Sequence, residues 1–200
     1  MKKEHMPHNR FGRLMKETAG FSYEFIRHPK NVGSVIPSSR MLARAMRRTA
    51  QHYGHPDSLV IEAGAGTGAI TRELVAHYPA DRLLISEASP GLARRLGERF
   101  RGSDVRCGRV EELGVWAEPQ AKTIVSSLPF RSLPPEVSGE IIRVFCKALR
   151  DNPDNVLVQF TYGQKSPLPL PPDCGVSGEK TGYAWLNFPP ARIWVYRAQR

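Results

Sequence analysis

The chain has 200 residues, 40% apolar and 24% charged, enough to bury one α/β core or two small ones and too apolar for a disordered chain. Its net charge of +10 points to an anionic partner: nucleic acid, an anionic membrane surface or a phosphorylated substrate. Three scattered cysteines (Cys107, Cys146, Cys174) without CxxC or metal-ligand spacing, no apolar run near the ~18 residues of a spanning helix, and polar residues after Met1-Lys2-Lys3 argue against a disulfide scaffold, a zinc ribbon, an integral membrane protein and a secreted precursor.

Phe11, Leu14, Met15, Thr18, Phe21, Phe25 and Ile26 recur at three- and four-residue spacing, which predicts an amphipathic helix ended by Pro29. Pro37-Ser38-Ser39 opens a second helix with a serine as N-cap, its apolar positions being Met41, Leu42, Ala45 and Met46. Residues 1–50 hold eleven Lys/Arg against three acids, so most of the positive charge is N-terminal. From Leu59 the pattern changes to alternating strands and helices. Strands are expected at Leu59–Glu62, Leu83–Glu87, Val105–Cys107, Thr123–Ser126 and Val156–Thr161, with helices near 69–78, 90–100 and 136–149. Two final strand-like runs, Tyr183–Phe188 and Arg192–Tyr196, are joined by Pro189-Pro190 with no helix between them, and read as an antiparallel edge pair. The expectation is an α/β fold with a mostly parallel seven-stranded sheet covered on both faces. An N-terminal helical extension (1–50) precedes the main domain (51–200).

Chemistry concentrates at Glu62-Ala63-Gly64-Ala65-Gly66-Thr67-Gly68, directly after a strand and before a helix. Glycines there let the backbone turn sharply and approach a ligand. The spacing E-x-G-x-G-x-G is not the G-x-G-x-x-G dinucleotide fingerprint, and no Lys-Ser/Thr follows for a phosphate loop. Glu87 closes the second strand, where a carboxylate can take both hydroxyls of a ribose. This pairing resembles the S-adenosylmethionine (SAM) site of Rossmann-like class I methyltransferases. The resemblance implies SAM as cofactor, held by Glu62, Gly64, Gly66, Gly68, Glu87, Ala88 and Ser126, with Ser38 and Ser39 at a helix start near its carboxylate.

Ser126-Ser127-Leu128-Pro129-Phe130 resembles the N-L-P-Y motif of adenine N6-methyltransferases, including the ribosomal RNA adenine dimethylases. The asparagine that grips the target amino group there is Ser127 here, a weaker fit to a flipped adenine, so a nucleic-acid substrate is not favoured. Further segments resemble bacterial phospholipid N-methyltransferases. They are Phe25-Ile26-Arg27-His28-Pro29, Val32-Gly33-Ser34-Val35-Ile36-Pro37-Ser38-Ser39-Arg40, Phe160-Thr161-Tyr162-Gly163 with Ser166-Pro167, and Asn187-Phe188-Pro189-Pro190-Ala191-Arg192. This resemblance implies stepwise methylation of phosphatidylethanolamine to phosphatidylcholine, or of an ornithine lipid in close relatives. An RNA adenine methyltransferase and a non-catalytic lipid-binding relative are the alternatives.

One position departs from that family: Gly108-Arg109-Val110 stands where it shows G-D-A, and arginine cannot accept the adenine amino hydrogen bond. Glu111 or Glu112 could substitute from the next turn. A primary ammonium must lose a proton before attack, and Tyr23, His28 and Tyr162 are candidates to help. Phe130 and Tyr162 could hold a methylated ammonium by cation–π contact. The amphipathic N-terminal helix, aromatic on one face and basic on the other, is expected to anchor the protein to an anionic membrane. That gives a peripheral location on the inner face of the cell membrane; the oligomeric state stays open.

Overall fold

The computed structural model describes residues 35–184 and 190–199, with side chains from Arg40 onward. The helix expected over Phe11–Ile26, with Tyr23 and His28, lies outside the described residues, as do residues 185–189.

α1 (Val35–Tyr53) starts ahead of Pro37, so Ser38 and Ser39 belong to its opening turns and are not N-caps. Proline is tolerated there because the first-turn N–H groups have no intrahelical acceptor. Leu42, Ala43, Met46 and Ala50 are buried along one side of α1 and join Val60, Val125 and Val158 of the sheet in one apolar cluster. The described part of this helix thus shares the main core.

β1 (Leu59–Ala63), β2 (Leu83–Glu87) and β4 (Lys122–Ser126) are buried at every position, the pattern of central parallel strands covered on both sides. β3 (Asp104–Cys107) is the polar edge beside β2, and β5 (Val156–Thr161) continues the parallel set beyond β4. Side chains alternate between two clusters. Ile61, Ile124 and Leu157 face α4 (Pro135–Asp151) with Phe145 and Leu149, whereas Val60, Val125 and Val158 face the other way. α2 (Ala69–Val75) and α3 (Pro90–Arg99) complete the cover. α2 stops short of the expected residue 78, consistent with Pro79 disfavouring helical backbone at the residue before it.

The order is β3-β2-β1-β4-β5-β7-β6, a seven-stranded Rossmann-like sheet. β7 (Ala191–Ala198) runs antiparallel between β5 and β6. β6 spans Val176–Ala184, so the strand expected at Tyr183–Phe188 begins seven residues earlier. It is mostly exposed between a buried Val176 and a buried Ala184, which suits an edge. The chain reverses its direction of travel across the sheet between β1 and β4. Ligands of open α/β sheets bind at the carboxyl ends of the strands at such a switch point.

Candidate active site

The loop after β1 is built to hold positive φ at three glycines: Gly64 (75°), Gly66 (59°) and Gly68 (83°). Gly64 and Ala65 donate their N–H groups to the Ser86 carbonyl at 3.0 and 3.1 Å, which lashes the loop to β2. A Cβ on Gly64 would lie 2.7 Å from Leu128 Cδ2, so this glycine lets β1 and the loop after β4 meet. A Cβ on Gly68 would meet Phe100 at 2.8 Å and Leu96 at 2.9 Å. Gly68 therefore serves the seating of α2 against the end of α3.

Glu62 is fully buried at the base of this loop. Both carboxyl oxygens and the Thr71 hydroxyl lack a hydrogen-bond partner within normal distance among the described residues. Burial pushes the Glu62 pKa up to about 8, with Thr71 pulling the other way. Glu87, also buried, spends one lone pair of each oxygen on the chain: Oε2 accepts Gly66 N–H and Oε1 accepts Ser89 N–H, both at 2.8 Å. It thereby shapes the glycine loop and keeps its remaining acceptor capacity for a ligand.

Gly64, Glu87, Ala88, Gly108, Arg109, Glu111 and Leu128 line a narrow cleft of about 50 Å³ at the ends of β1 and β2. Arg109 is committed within the protein. Its Nε donates to Glu111 and its Nη2 to Glu140 of α4, both at 2.5 Å. Of the two acids that could replace the missing aspartate, Glu111 is in the cleft and held by Arg109. Burial raises its pKa against the pull of that arginine. Glu112 is mostly exposed and 3.9 Å from the guanidinium.

A larger cavity, about 330 Å³, opens at the ends of β4 and β5. Ser127, Leu128, Pro129 and Phe130 form one wall, and Gln159, Phe160, Thr161, Tyr162 and Gly163 another. Leu128 lines both spaces, so they adjoin. Ser126 is fully buried, and its Oγ accepts Leu128 N–H at 3.3 Å, holding the turn. Phe130 is 5% exposed, its ring edge-on to Phe145, so it is a wall of the cavity seated in the core. Tyr162, 40% exposed and in T-shaped contact with Phe160, presents an open aromatic face.

Of the residues expected to bind the cofactor, the structure puts Gly64, Glu87 and Ala88 in the cleft lining and Glu62, Gly66, Gly68 and Ser126 in the adjoining strands and loop; of those expected at the reaction, Phe130 and Tyr162 line the cavity. Tyr23 and the side chains of Ser38 and Ser39 lie outside the described residues. Sequence reasoning missed Gln159, which is buried and lines the cavity. Its amide Nε2 donates to the Leu128 carbonyl (3.2 Å) and the Phe160 carbonyl (3.0 Å), leaving Oε1 without a donor among the described residues. A polar residue inside the apolar run Val156–Phe160 was the available signal. It also missed Thr71 and Arg131.

The residues fit SAM. An unpartnered buried carboxyl lies beneath a loop of left-handed glycines, and a second carboxylate with spare acceptor capacity lines the adjoining cleft. The fold is that of solved structures at low sequence identity. One is the magnesium protoporphyrin IX methyltransferase of Synechocystis PCC 6803 with bound SAM (TM-score 0.59, 14% identity, covering 98% of this chain and 100% of that one). Another is the Burkholderia thailandensis 1,6-didemethyltoxoflavin-N1-methyltransferase (0.62, 12%, covering 100% and 94%). A third is the N-methyltransferase NodS of Bradyrhizobium japonicum WM9 (0.59, 13%, covering 83% and 99%). Strand order, glycine loop and paired carboxylates together define a class I SAM-dependent methyltransferase. In sequence the chain is 34% identical over 143 residues to an ornithine lipid N-methyltransferase of Singulisphaera acidiphila, covering 68% of this chain and 73% of that protein. The chain belongs to that protein's family. It is also 30% identical over 141 residues to ribosomal RNA small subunit methyltransferase A of Thermotoga neapolitana, covering 70% of this chain and 50% of that protein. No family model matches the chain.

Proposed function

We propose that the protein transfers the methyl group of SAM to the amine of a membrane-lipid headgroup, working from the inner face of the cell membrane. The observation that carries this is the 330 Å³ cavity adjoining the cofactor cleft at Leu128, walled by aromatic and apolar side chains. An ornithine lipid is the substrate favoured by the Singulisphaera relative. Phosphatidylethanolamine is the second reading, supported by the Val32–Arg40 motif. An adenine base is disfavoured because Ser127 replaces the asparagine of the RNA enzymes and the Phe130 ring is buried against Phe145.

When bound, SAM supplies an electrophilic methyl on a sulfonium. Glu62 and the glycine loop would hold its cationic amino-acid end, Glu87 its ribose, and the cleft beside Arg109 and Glu111 its base. The chain's own work is positioning and exclusion of water. The cavity lining contains no carboxylate and no imidazole among the described residues. The ammonium proton leaves to solvent, and the Tyr162 ring would then face the growing methylammonium.

The test is incubation of purified protein with methyl-labelled SAM and, separately, vesicles holding ornithine lipid, vesicles holding phosphatidylethanolamine, and ribosomal RNA. Mass spectrometry should find N-methylated lipid and unlabelled RNA. Labelled RNA without lipid product would overturn the reading.

A further inference from the structure

The cavity walls are mostly apolar, and their polar groups stand apart from one another. At its buried end, two carbonyl acceptors fix the Gln159 amide so that Oε1 is the free atom, an acceptor for an ammonium, and Ser127 lines the same end. At its exposed end, Arg131 lies against Gly163. Its Nη1, Cζ and Nη2 come within 3.0–3.2 Å of where a Gly163 Cβ would sit, and the Gly163 carbonyl accepts Arg192 Nη1 at 3.2 Å. Two guanidiniums thus converge on one glycine. Neither pairs with a carboxylate among the described residues. Lys180 adds a further positive charge, sharing the Tyr183 ring with Arg192 at 5.1 and 5.6 Å. Of these cations Arg131 lines the cavity, and an anion held there would also feel the charge of Arg192, whose guanidinium is bonded to Gly163 of the same lining. Planar guanidiniums also match carboxylate and phosphate oxygens in pairs.

We propose that Arg131 at the cavity mouth, backed by Arg192 across Gly163, forms an anion clamp for the acidic group that accompanies the methylated amine. The substrate class is then a zwitterionic headgroup, with the amine inward at Gln159 and Ser127 and a carboxylate or phosphate outward at the guanidiniums. This rests on the aminolipid reading above and narrows it: an amine lipid without an adjacent anion is a poor substrate.

Soluble headgroups separate the clamp from the methylation chemistry. Calorimetry on the full chain compares Nα-acetylornithine (carboxylate), glycerophosphoethanolamine (phosphodiester) and N-acetylputrescine, which is the first probe without its carboxylate. Wild type should bind at least one zwitterion about tenfold or more tightly than N-acetylputrescine. Whichever zwitterion binds better names the source of the anion. Arg131→Gln should bring that ratio to about two or less, and Arg131→Lys should restore part of it. Arg131 is exposed, so the fold of its variants should be undisturbed, as circular dichroism would check; Arg192→Gln is the second variant. Equal wild-type affinity for probes with and without the anion, no binding of any probe, or an unchanged ratio in Arg131→Gln overturns the clamp. So does binding of an RNA oligonucleotide that Arg131→Gln weakens while neither zwitterion binds. A wild type that binds a zwitterion through Arg131 yet methylates no lipid keeps the clamp and removes the aminolipid reading.

Discussion

The Glu62 carboxyl is fully buried, and burial lifts its pKa from 4.5 to about 8 against the pull of Thr71. The unfolded chain releases this proton near pH 4.5, while the folded, ligand-free protein keeps it to about 8. Between those values the unfolded state holds fewer protons, so this group makes stability fall as pH rises. Glu62→Gln keeps the shape of the protonated carboxyl and removes the fall. Its melting temperature should exceed that of wild type by a margin that widens from pH 5 to pH 8. A cation in the glycine loop would lower the carboxyl's pKa again, so ligand binding near pH 7 should expel about one proton. Calorimetry of S-adenosylhomocysteine in two buffers of different ionisation heat counts it. The count should drop to about none in Glu62→Gln, with affinity weaker by about 1.5–3 kcal/mol. Equal proton counts in the two proteins would remove Glu62 from the binding site. Glu62 and Glu87 were legible because the glycine spacing is local in sequence. Arg109 was legible as an oddity, but its partner Glu140 is 31 positions away and no local pattern joins them. Gln159 stood out only as a polar residue in an apolar run, with nothing local to tie it to a site, and Arg131 resembles any surface charge until β4 and β5 are paired.

At the scale of elements, the buried parallel strands announced themselves as short apolar runs, and Leu83–Glu87 and Val156–Thr161 fall where the sequence puts them. β6 did not, because Ser177–Lys180 is exposed and carries no apolar alternation. What fixes it is cross-strand packing: Gly178 is the register partner of Tyr196, whose ring covers it. A Cβ on Gly178 would lie 2.2 Å from Tyr196 Cε1, and Tyr196 is fully buried with its hydroxyl 2.8 Å from Ser166 Oγ. That ring cannot shift without disturbing the segment that carries Pro167 into the cavity wall. Gly182, four residues along the same strand, has its nearest neighbour at 3.9 Å. Gly178→Ala should therefore cost about 1–3 kcal/mol. Gly182→Ala should lie within about 0.5 kcal/mol of wild type. Urea unfolding of the two variants compares them directly; equal midpoints would mean that Tyr196 does not pin the β6 register.

Across the whole molecule, cofactor cleft and cavity open along one edge of the sheet, and the proposed lipid amine would have to reach that edge from a bilayer. Among the described residues no helix is long and apolar enough to cross a membrane. The proposed attachment to a membrane rests on charge and on the amphipathic spacing in the sequence of residues 1–20. Residues 1–20 hold five Lys/Arg against two acids, together with Phe11, Leu14 and Met15. At roughly 1 kcal/mol per net basic charge near anionic lipid, their charge contributes on the order of 3 kcal/mol, or about a hundredfold in binding. Deleting residues 1–20 should weaken binding to anionic vesicles by about that factor and leave S-adenosylhomocysteine affinity unchanged, because the glycine loop and Glu87 lie far downstream. The charge term is screened over about 8 Å at physiological salt, so added salt should loosen the full chain from vesicles. The apolar face should leave a salt-resistant remainder, which Phe11→Ser with Leu14→Ser should abolish. Zwitterionic vesicles should bind both proteins weakly. Flotation of full-length and truncated protein with anionic vesicles is the measurement. If the two float equally, the N-terminal segment does not anchor the enzyme, and the exposed Arg40 and Arg48 of α1 become the next residues to neutralise.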